Sequence, residues 1–214
     1  MTETTNMPTE SSVPTHMASP KSMSSRWAEI VHVVLLTLAI VIPVRVFLAN
    51  PFKVQGASME PNYFDKEYLI IDELSYRLHA PIRGEVIVFR PPTDPTKFFI
   101  KRVIGVPGDT VELMNGVVKI YNTEHPNGWV LDESSYLDLS DVSDDERASM
   151  SMRPLTLSED EYFVMGDNRR ASYDSRFFGA IQEESIVGRA FIRGWPVHRW
   201  GMLTDLPPYP ESGT

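Results

Sequence analysis

The sequence contains no cysteine in 214 residues, and this absence removes several kinds of chemistry at once. Without a thiol, the chain has no thiolate nucleophile, no disulfide framework and no cysteine-ligated zinc site. A cysteine-free chain can work on either side of a membrane, so the compartment stays open. The length suffices for one membrane anchor and one compact domain that is stable without disulfides or metal.

Positive charge is scarce as well. The chain has 20 Lys and Arg against 29 Asp and Glu, which gives a net charge of −9. It has no long basic run, so it lacks the electrostatic attraction that dominates nucleic-acid binding. We therefore exclude nucleic-acid partners.

Acidic residues are concentrated in one segment. Seven of them, and no basic residue, lie in residues 132–146, where they are mixed with serines. A block of like charge is usually solvated. We therefore predict an acidic insertion, at residues 132–158, that forms a solvated loop.

Histidine is rare, and none of the five histidines lies in a catalytic motif. Two of them, His16 and His32, fall in the N-terminal tail and in an apolar run. The others, His79, His125 and His198, accompany no G-x-S-x-G serine and no H-E-x-x-H zinc pattern. The sequence therefore predicts no metal site and no organic cofactor.

One apolar run, at residues 30–49, is long enough to cross a bilayer, and the rest of the sequence has no second one. A helix needs roughly 20 residues to cross the hydrocarbon core, which matches this length. We predict a transmembrane anchor at residues 27–49. The preceding residues 1–26 are rich in Thr, Ser, Pro and Met, which predicts a disordered cytoplasmic tail.

A buried core helix and a cleaved secretory signal are alternative interpretations of this run. Pro43 and Arg45 weaken a plain span, although both lie near its distal end, where a long side chain reaches the interface. A cleaved signal needs small residues before the cut, and the bulky Phe47 stands two positions before Ala49. We therefore favour a retained anchor with the N-terminus in the cytoplasm.

Short runs of β-type composition follow the anchor. They lie at residues 67–72, 85–90, 98–105, 110–114, 117–121, 161–165 and 185–193. Asn115-Gly116 separates the fourth run from the fifth, and both residues tolerate the positive φ that a two-residue hairpin turn needs. The sequence thus predicts a mainly β fold, with a coiled-sheet or β-barrel-like domain at residues 50–214 and one N-terminal transmembrane helix.

Ser58 and Lys101 are the candidates for nucleophilic chemistry. Ser58 lies in GASMEP, where small residues let a substrate approach the backbone closely. Strand alternation places Lys101 on the apolar face of Phe99 and Val103, where desolvation lowers a lysine pKa from about 10.4 by up to 3 to 5 units. A neutral amine could take the proton of a serine hydroxyl. The alternatives are a serine that bonds its own turn and a structural lysine with a hydrated amine.

A third segment, GDNRRASYDSR at residues 166–176, is dense in turn-forming and hydrogen-bonding side chains. Such a loop could orient a base or only fix a surface turn. Together, GASMEP, FIKRVIGVPGD and GDNRRASYDSR resemble the hallmark boxes of bacterial type I signal peptidases (peptidase family S26), which occur in the same order. The resemblance covers residues 50–194 apart from the acidic insertion.

The resemblance implies roles for individual residues. Ser58 matches the nucleophile, whose backbone amide also stabilises the oxyanion, and Lys101 matches the general base. The supporting residues all come from the third segment. Ser172 matches a hydroxyl that hydrogen-bonds the lysine, Asp174 and Arg176 match charged residues that pair to stiffen the site, and Asp167 and Asn168 match residues that shape it.

Two positions depart from the family pattern. Asn62-Tyr63 stands where the family usually has threonine followed by an apolar residue, which affects the substrate groove. Gly56 stands where some members carry a serine whose hydroxyl helps to bind the oxyanion. At this position, a main-chain amide or a water must supply the second donor.

The resemblance implies a membrane-bound serine endopeptidase that removes signal peptides from exported preproteins after an Ala-x-Ala-like site. Its partners would be secretory preproteins and the lipid bilayer, with the protease domain on the extracytoplasmic face and no obligate oligomer. Ser58 lies nine residues after Ala49, which keeps it within roughly 30 Å of the anchor.

Two other interpretations stay open. One is a membrane-tethered β-domain that binds exported proteins without cutting them. The other is a serine–lysine autoprotease related to the LexA-type repressors. The predicted anchor and the lack of a basic DNA-binding domain argue against the second.

Overall fold

The computed structural model describes residues 23–47, 50–137, 139–140 and 142–203. The chain divides into two compact units, of which the second begins at Pro43. The first regular element is helix α1 (Met23–Phe47), whose side chains from Trp27 to Val41 are exposed.

The predicted tail and anchor fall only partly within the described residues. Residues 1–22 of the tail and residues 48–49 of the anchor lie outside them. Within the described residues, no helix combines the length and the hydropathy that a membrane span requires. The transmembrane anchor stays a prediction.

The second unit consists mainly of β-strands. The described strands are β1 (Asn50–Lys53), β2 (Tyr68–Asp72), β3 (Val86–Phe89), β4 (Phe99–Gly105), β5 (Thr110–Met114), β6 (Val117–Tyr121), β7 (Trp129–Val130), β8 (Met152–Thr156), β9 (Glu161–Met165), β10 (Ile181–Gln182), β11 (Ile186–Trp195) and β12 (Gly201–Met202). The short helices are α2 (Asp144–Ser149), α3 (Ser175–Phe178) and three 3-10 helices at Ser75–Arg77, Glu183–Ser185 and Val197–Arg199. The prediction of a mainly β fold is confirmed.

One antiparallel sheet has the order β1-β2-β11-β3-β4-β9-β10, with β12 beside β11. Strand β3 consists of four apolar residues, and it packs on both of its faces. Val86 and Val88 pack in one apolar cluster, whereas Ile87 and Phe89 pack in another, so both faces are covered. Register shifts in β11 and between β4 and β9 are irregularities that bend a sheet. Strand β4 lies between β3 and β9 and is buried along most of its length.

A second antiparallel sheet has the order β7-β6-β5-β8 and a core of its own. The predicted hairpin joins β5 to β6, with Met114 opposite Val117. Asn115 has a φ of +49° and Gly116 a φ of +77°, as a two-residue turn with two positive φ angles requires. The hairpin prediction is confirmed.

The acidic insertion at residues 132–158 contains more structure than its composition indicates. Strand β8 lies inside it and pairs with β5 at the edge of the second sheet, where a strand tolerates its proline. Glu133, Tyr136 and Val142 are buried. The prediction of a solvated loop is wrong for these residues, because a local charge count takes no account of partners that come from distant parts of the chain.

Candidate active site

Ser58 is held in a tight turn between β1 and β2. Gly56 has a φ of +84°, which glycine adopts without strain, and the buried side chain of Met59 anchors the turn. Asn168 fixes the turn from the other side. Its backbone N–H donates to Ser58 O at 3.0 Å, and its Nδ2 donates to Ala57 O at 3.0 Å.

Lys101 lies on the central strand β4 and reaches the turn that carries Ser58. Its side chain is buried, and its Nζ lies 5.4 Å from the ring centroid of Phe99. The Nζ atom donates to Ser58 Oγ at 2.7 Å and to Ile100 O at 2.8 Å. The structure thus brings together two side chains that are 43 residues apart in the sequence.

Burial lowers the pKa of Lys101 from 10.5 to about 8. Asp174 and Asp167 oppose this shift because their negative charges favour the ammonium form, whereas Arg176 adds to it. With a pKa near 8, about one lysine in ten is neutral at pH 7, compared with about one in a few thousand for an exposed lysine. A neutral amine beside a hydroxyl can accept its proton.

The backbone around Ser58 determines which donors could stabilise an oxyanion. Among the described residues, no group accepts a hydrogen bond from the Ser58 N–H, so this donor is available to a substrate. The Gly56 N–H is not, because it donates to Asp65 Oδ1 at 3.0 Å.

Asp174 and Arg176 form the predicted ion pair. Arg176 donates from Nε to Asp174 Oδ1 at 2.8 Å and from Nη2 to Asp174 Oδ2 at 2.9 Å. Asp174 is fully buried, and its Oδ2 also accepts from the backbone N–H of Gly166 at 3.0 Å. Because the pair ties both ends of the loop 166–176 together, it fixes the wall beside Lys101.

Asp167 links the same loop to β4. Arg102, the neighbour of Lys101, donates from Nε to Asp167 Oδ1 at 2.8 Å and from Nη2 to Asp167 Oδ2 at 2.7 Å. Both side chains are almost completely buried. A two-pronged contact of this kind is strongly directional, so Asp167 fixes the loop relative to the strand that carries Lys101.

Asn62, the first departure from the family pattern, joins three segments. Its Nδ2 donates to Asp167 Oδ2 at 2.8 Å and to Tyr136 O at 2.7 Å. It therefore connects the turn after Ser58 both to the loop 166–176 and to the acidic insertion. Its neighbour Tyr63 is buried, and burial raises the pKa of this phenol to about 12.

The position of Ser172 corrects one prediction. Its Oγ is buried and has no hydrogen-bond partner among the described residues, so the predicted bond to Lys101 is absent. Lys101 instead directs its hydrogens to Ser58 and Ile100. Ser172 packs against Gly166, where an added Cβ would lie 2.2 Å from Ser172 Oγ and 2.4 Å from Ser58 O.

Sequence reasoning missed four residues that surround this site. They are Arg102, Tyr136, Glu133 and Arg169, and each is buried. Arg102 had a usable signal, because alternation turns its charge towards the opposite buried face of β4, where it needs a carboxylate. Glu133 and Arg169 had none, because they are 36 residues apart in the chain, and Tyr136 is held by Glu133.

Ser58 and Lys101 line an open groove of about 680 Å³. Its walls are largely apolar and include Phe52, Leu69 and Tyr173. The groove can hold an extended chain with one carbonyl against Ser58 Oγ. In the described part of the chain, no cluster of three or more His, Cys, Asp or Glu side chains could hold a metal ion.

Comparison with known proteins identifies the family. The family described as "Signal peptidase, peptidase S26" matches residues 27–195. The chain belongs to this signal peptidase family. The resemblance carried by the three sequence segments is thereby confirmed.

Relatives within the signal peptidase family match most of the chain. A probable signal peptidase I-2 from Synechocystis sp. is 39% identical over 185 residues, covering 84% of this chain and 78% of that protein. A signal peptidase I from Leptolyngbya laminosa is 34% identical over 218 residues, covering 98% of this chain and 100% of that protein. The crystal structure of a signal peptidase I from Enterococcus faecalis V583 is 33% identical and covers 52% of this chain and 97% of that one, with a TM-score of 0.43.

Proposed function

We propose that this chain is a signal peptidase I: a membrane-bound serine endopeptidase that removes signal peptides from exported preproteins. Ser58 is the nucleophile and Lys101 the general base. The observation that carries the proposal is the 2.7 Å contact between Ser58 Oγ and the buried amine of Lys101. Membership of the signal peptidase family supports the choice of substrate.

The proposed reaction has two stages. Ser58 Oγ attacks the scissile carbonyl carbon while Lys101 Nζ takes the hydroxyl proton, and the oxyanion that forms accepts a hydrogen bond from the Ser58 N–H. The C–N bond then breaks, and Lys101 returns the proton to the leaving amine. In the second stage, Lys101 takes a proton from a water, whose oxygen attacks the ester carbon of the acyl enzyme. The C–Oγ bond then breaks, and Lys101 returns the proton to Ser58 Oγ. No metal or organic cofactor takes part.

The groove beside Ser58 suits an extended peptide. It runs between the backbone segments 51–58 and 97–101, so that an extended substrate can lie between them as an added strand. Apolar walls favour small apolar side chains before the cut, in line with an Ala-x-Ala-like site. An N-terminal membrane anchor with the protease domain on the extracytoplasmic face completes the proposal, since precursors reach that face during export.

The pH dependence of cleavage should report the lysine. Because only the neutral amine acts as a base, kcat/KM is expected to fall about tenfold per pH unit below the Lys101 pKa of about 8 and to level off above it. Initial rates between pH 6 and pH 10, in a buffer series of constant ionic strength, measure this profile. A profile that is flat between pH 6 and pH 8 would contradict the assignment of the base.

The activity itself is tested with the purified full-length chain in detergent and one secretory precursor. We expect a single cut, and N-terminal sequencing of the product should place it after a small residue whose second neighbour upstream is also small. Binding of the precursor without a new N-terminus would instead support the non-cutting β-domain. A precursor with bulky residues at both positions before the cut is the control and should stay intact.

A further inference from the structure

One residue of the acidic insertion, Glu133, has a buried carboxylate that pairs with Arg169. Arg169 donates from Nη1 to Glu133 Oε2 at 3.1 Å and from Nη2 to Glu133 Oε1. The exposed fractions of the two side chains are 2% for Arg169 and 8% for Glu133. Tyr136 OH donates to Glu133 Oε1 at 2.6 Å, so the carboxylate itself is held in place.

Arg169 belongs to the segment that holds Ser58. Its Nε donates to Gly166 O at 3.2 Å, and its neighbour Asn168 donates to both Ala57 O and Ser58 O. Glu133 is therefore connected to the backbone carbonyl of Ser58 through its ion pair with Arg169, the backbone between Arg169 and Asn168, and the hydrogen bond from the Asn168 N–H to Ser58 O. No side chain in this connection touches the groove or the reacting atoms.

We infer that Glu133 is a positioning residue for the reaction: by fixing Arg169 it holds Asn168, and through Asn168 it keeps Ser58 Oγ within hydrogen-bond distance of Lys101. This inference rests on the proposed function, because it assigns Glu133 a part in the same reaction.

The geometry explains why a catalytic effect should follow. A displacement of about 1 Å at a reacting group can cost about a hundredfold in rate. Removing one member of a buried ion pair leaves the other charge without compensation, so Arg169 must move to reach water. Its neighbour Asn168 would move with it, and water would reach Lys101. We therefore expect kcat to fall and the Lys101 pKa to rise. KM should stay the same, because the groove that binds the substrate stays in place.

The same two segments offer a matched control. Glu146 also belongs to the acidic insertion, and it pairs with Arg170, the residue next to Arg169. This pair is exposed, so its loss should be absorbed by solvent. Glu146→Gln also keeps the residue type that the capping box with Ser143 needs. Each of the two substitutions thus removes one negative charge from the acidic insertion. Glu133→Gln removes it at a buried position and Glu146→Gln at an exposed one.

The experiment compares these two variants with the unaltered full-length chain in detergent. It measures kcat and KM for precursor cleavage, and it titrates Lys101 by NMR in protein labelled with 13C at the lysine ε-carbon. The Lys101→Met spectrum assigns the signal. For Glu133→Gln we expect a kcat at least about tenfold lower with KM within about twofold. The Lys101 pKa should rise from about 8 towards that of exposed lysines. Glu146→Gln should match the unaltered chain in all three quantities.

A double variant, Glu133→Met with Arg169→Met, distinguishes a catalytic effect from misfolding. It removes both members of the ion pair, so no unpaired charge is buried. We expect it to melt near the temperature of the unaltered chain and still to show a low kcat. A kcat and a Lys101 pKa in folded Glu133→Gln equal to those of the unaltered chain would overturn the inference, as would full activity in the double variant. If the unaltered chain cuts no precursor, the proposed function fails, and the NMR titration alone still decides whether Glu133 controls the environment of Lys101.

Discussion

Ser58→Ala is expected to abolish precursor cleavage while leaving the fold intact. Removing the nucleophile of a serine protease lowers kcat on the order of 10⁶-fold, since the acyl enzyme can then no longer form on the hydroxyl that contacts Lys101. The hydroxyl of Ser58 contacts Lys101 Nζ and is not part of an apolar cluster, so its loss removes little packing. The melting temperature should therefore change by no more than about 3 °C.

The measurement is single-turnover cleavage of one precursor, with circular dichroism of the same samples. Ser185→Ala serves as the control, because Ser185 is a half-buried serine whose Oγ donates only to Gln182 O. It should cleave at the rate of the unaltered chain. Residual cleavage by Ser58→Ala above about one thousandth of that rate would exclude Ser58 as the nucleophile.

The sequence predicted those features of the fold that depend on local pattern. All seven apolar runs became strands, because alternation along a strand decides which side chains are buried. The turn at Asn115-Gly116 followed from the backbone conformations that these two residues tolerate. The burial of Lys101 followed in the same way, since its face of β4 is shared with the apolar Phe99 and Val103.

The features that the sequence did not predict depend on partners distant in the chain. Asn62 bonds to residues 74 and 105 positions away, and no local pattern indicates such a contact. The sequence did not distinguish Glu133 from the solvated acidic residues near it, because its partner, Arg169, is 36 residues away. Ser172 was assigned a bond to Lys101 by resemblance alone, and the rotation of a hydroxyl cannot be read from a motif.

A second large effect is expected for Lys101→Met, which removes the base and keeps most of the length of the side chain. General base catalysis contributes about 10²- to 10⁴-fold, so kcat should fall by at least about 100-fold, and kcat/KM should lose its dependence on pH near 8. Lys66→Met is the control, since the side chain of Lys66 is 78% exposed, and it should cleave normally. Cleavage by Lys101→Met within tenfold of the unaltered chain would contradict the role of Lys101.

The stability of Lys101→Met separates a catalytic lysine from a structural one. The folded state lowers the pKa of Lys101 from 10.5 to about 8, so below pH 8 the ammonium is buried at a cost of roughly 3 kcal/mol. This cost declines as the pH rises from 8 to 10.5, because the folded state then releases its proton before the unfolded state does. Methionine avoids it, so Lys101→Met should unfold at a higher temperature than the unaltered chain at pH 7, and the difference should shrink at pH 10. If Lys101 served stability, Lys101→Met would unfold at a lower temperature than the unaltered chain at pH 7. If Lys101 serves catalysis at the expense of stability, Lys101→Met is inactive and more stable.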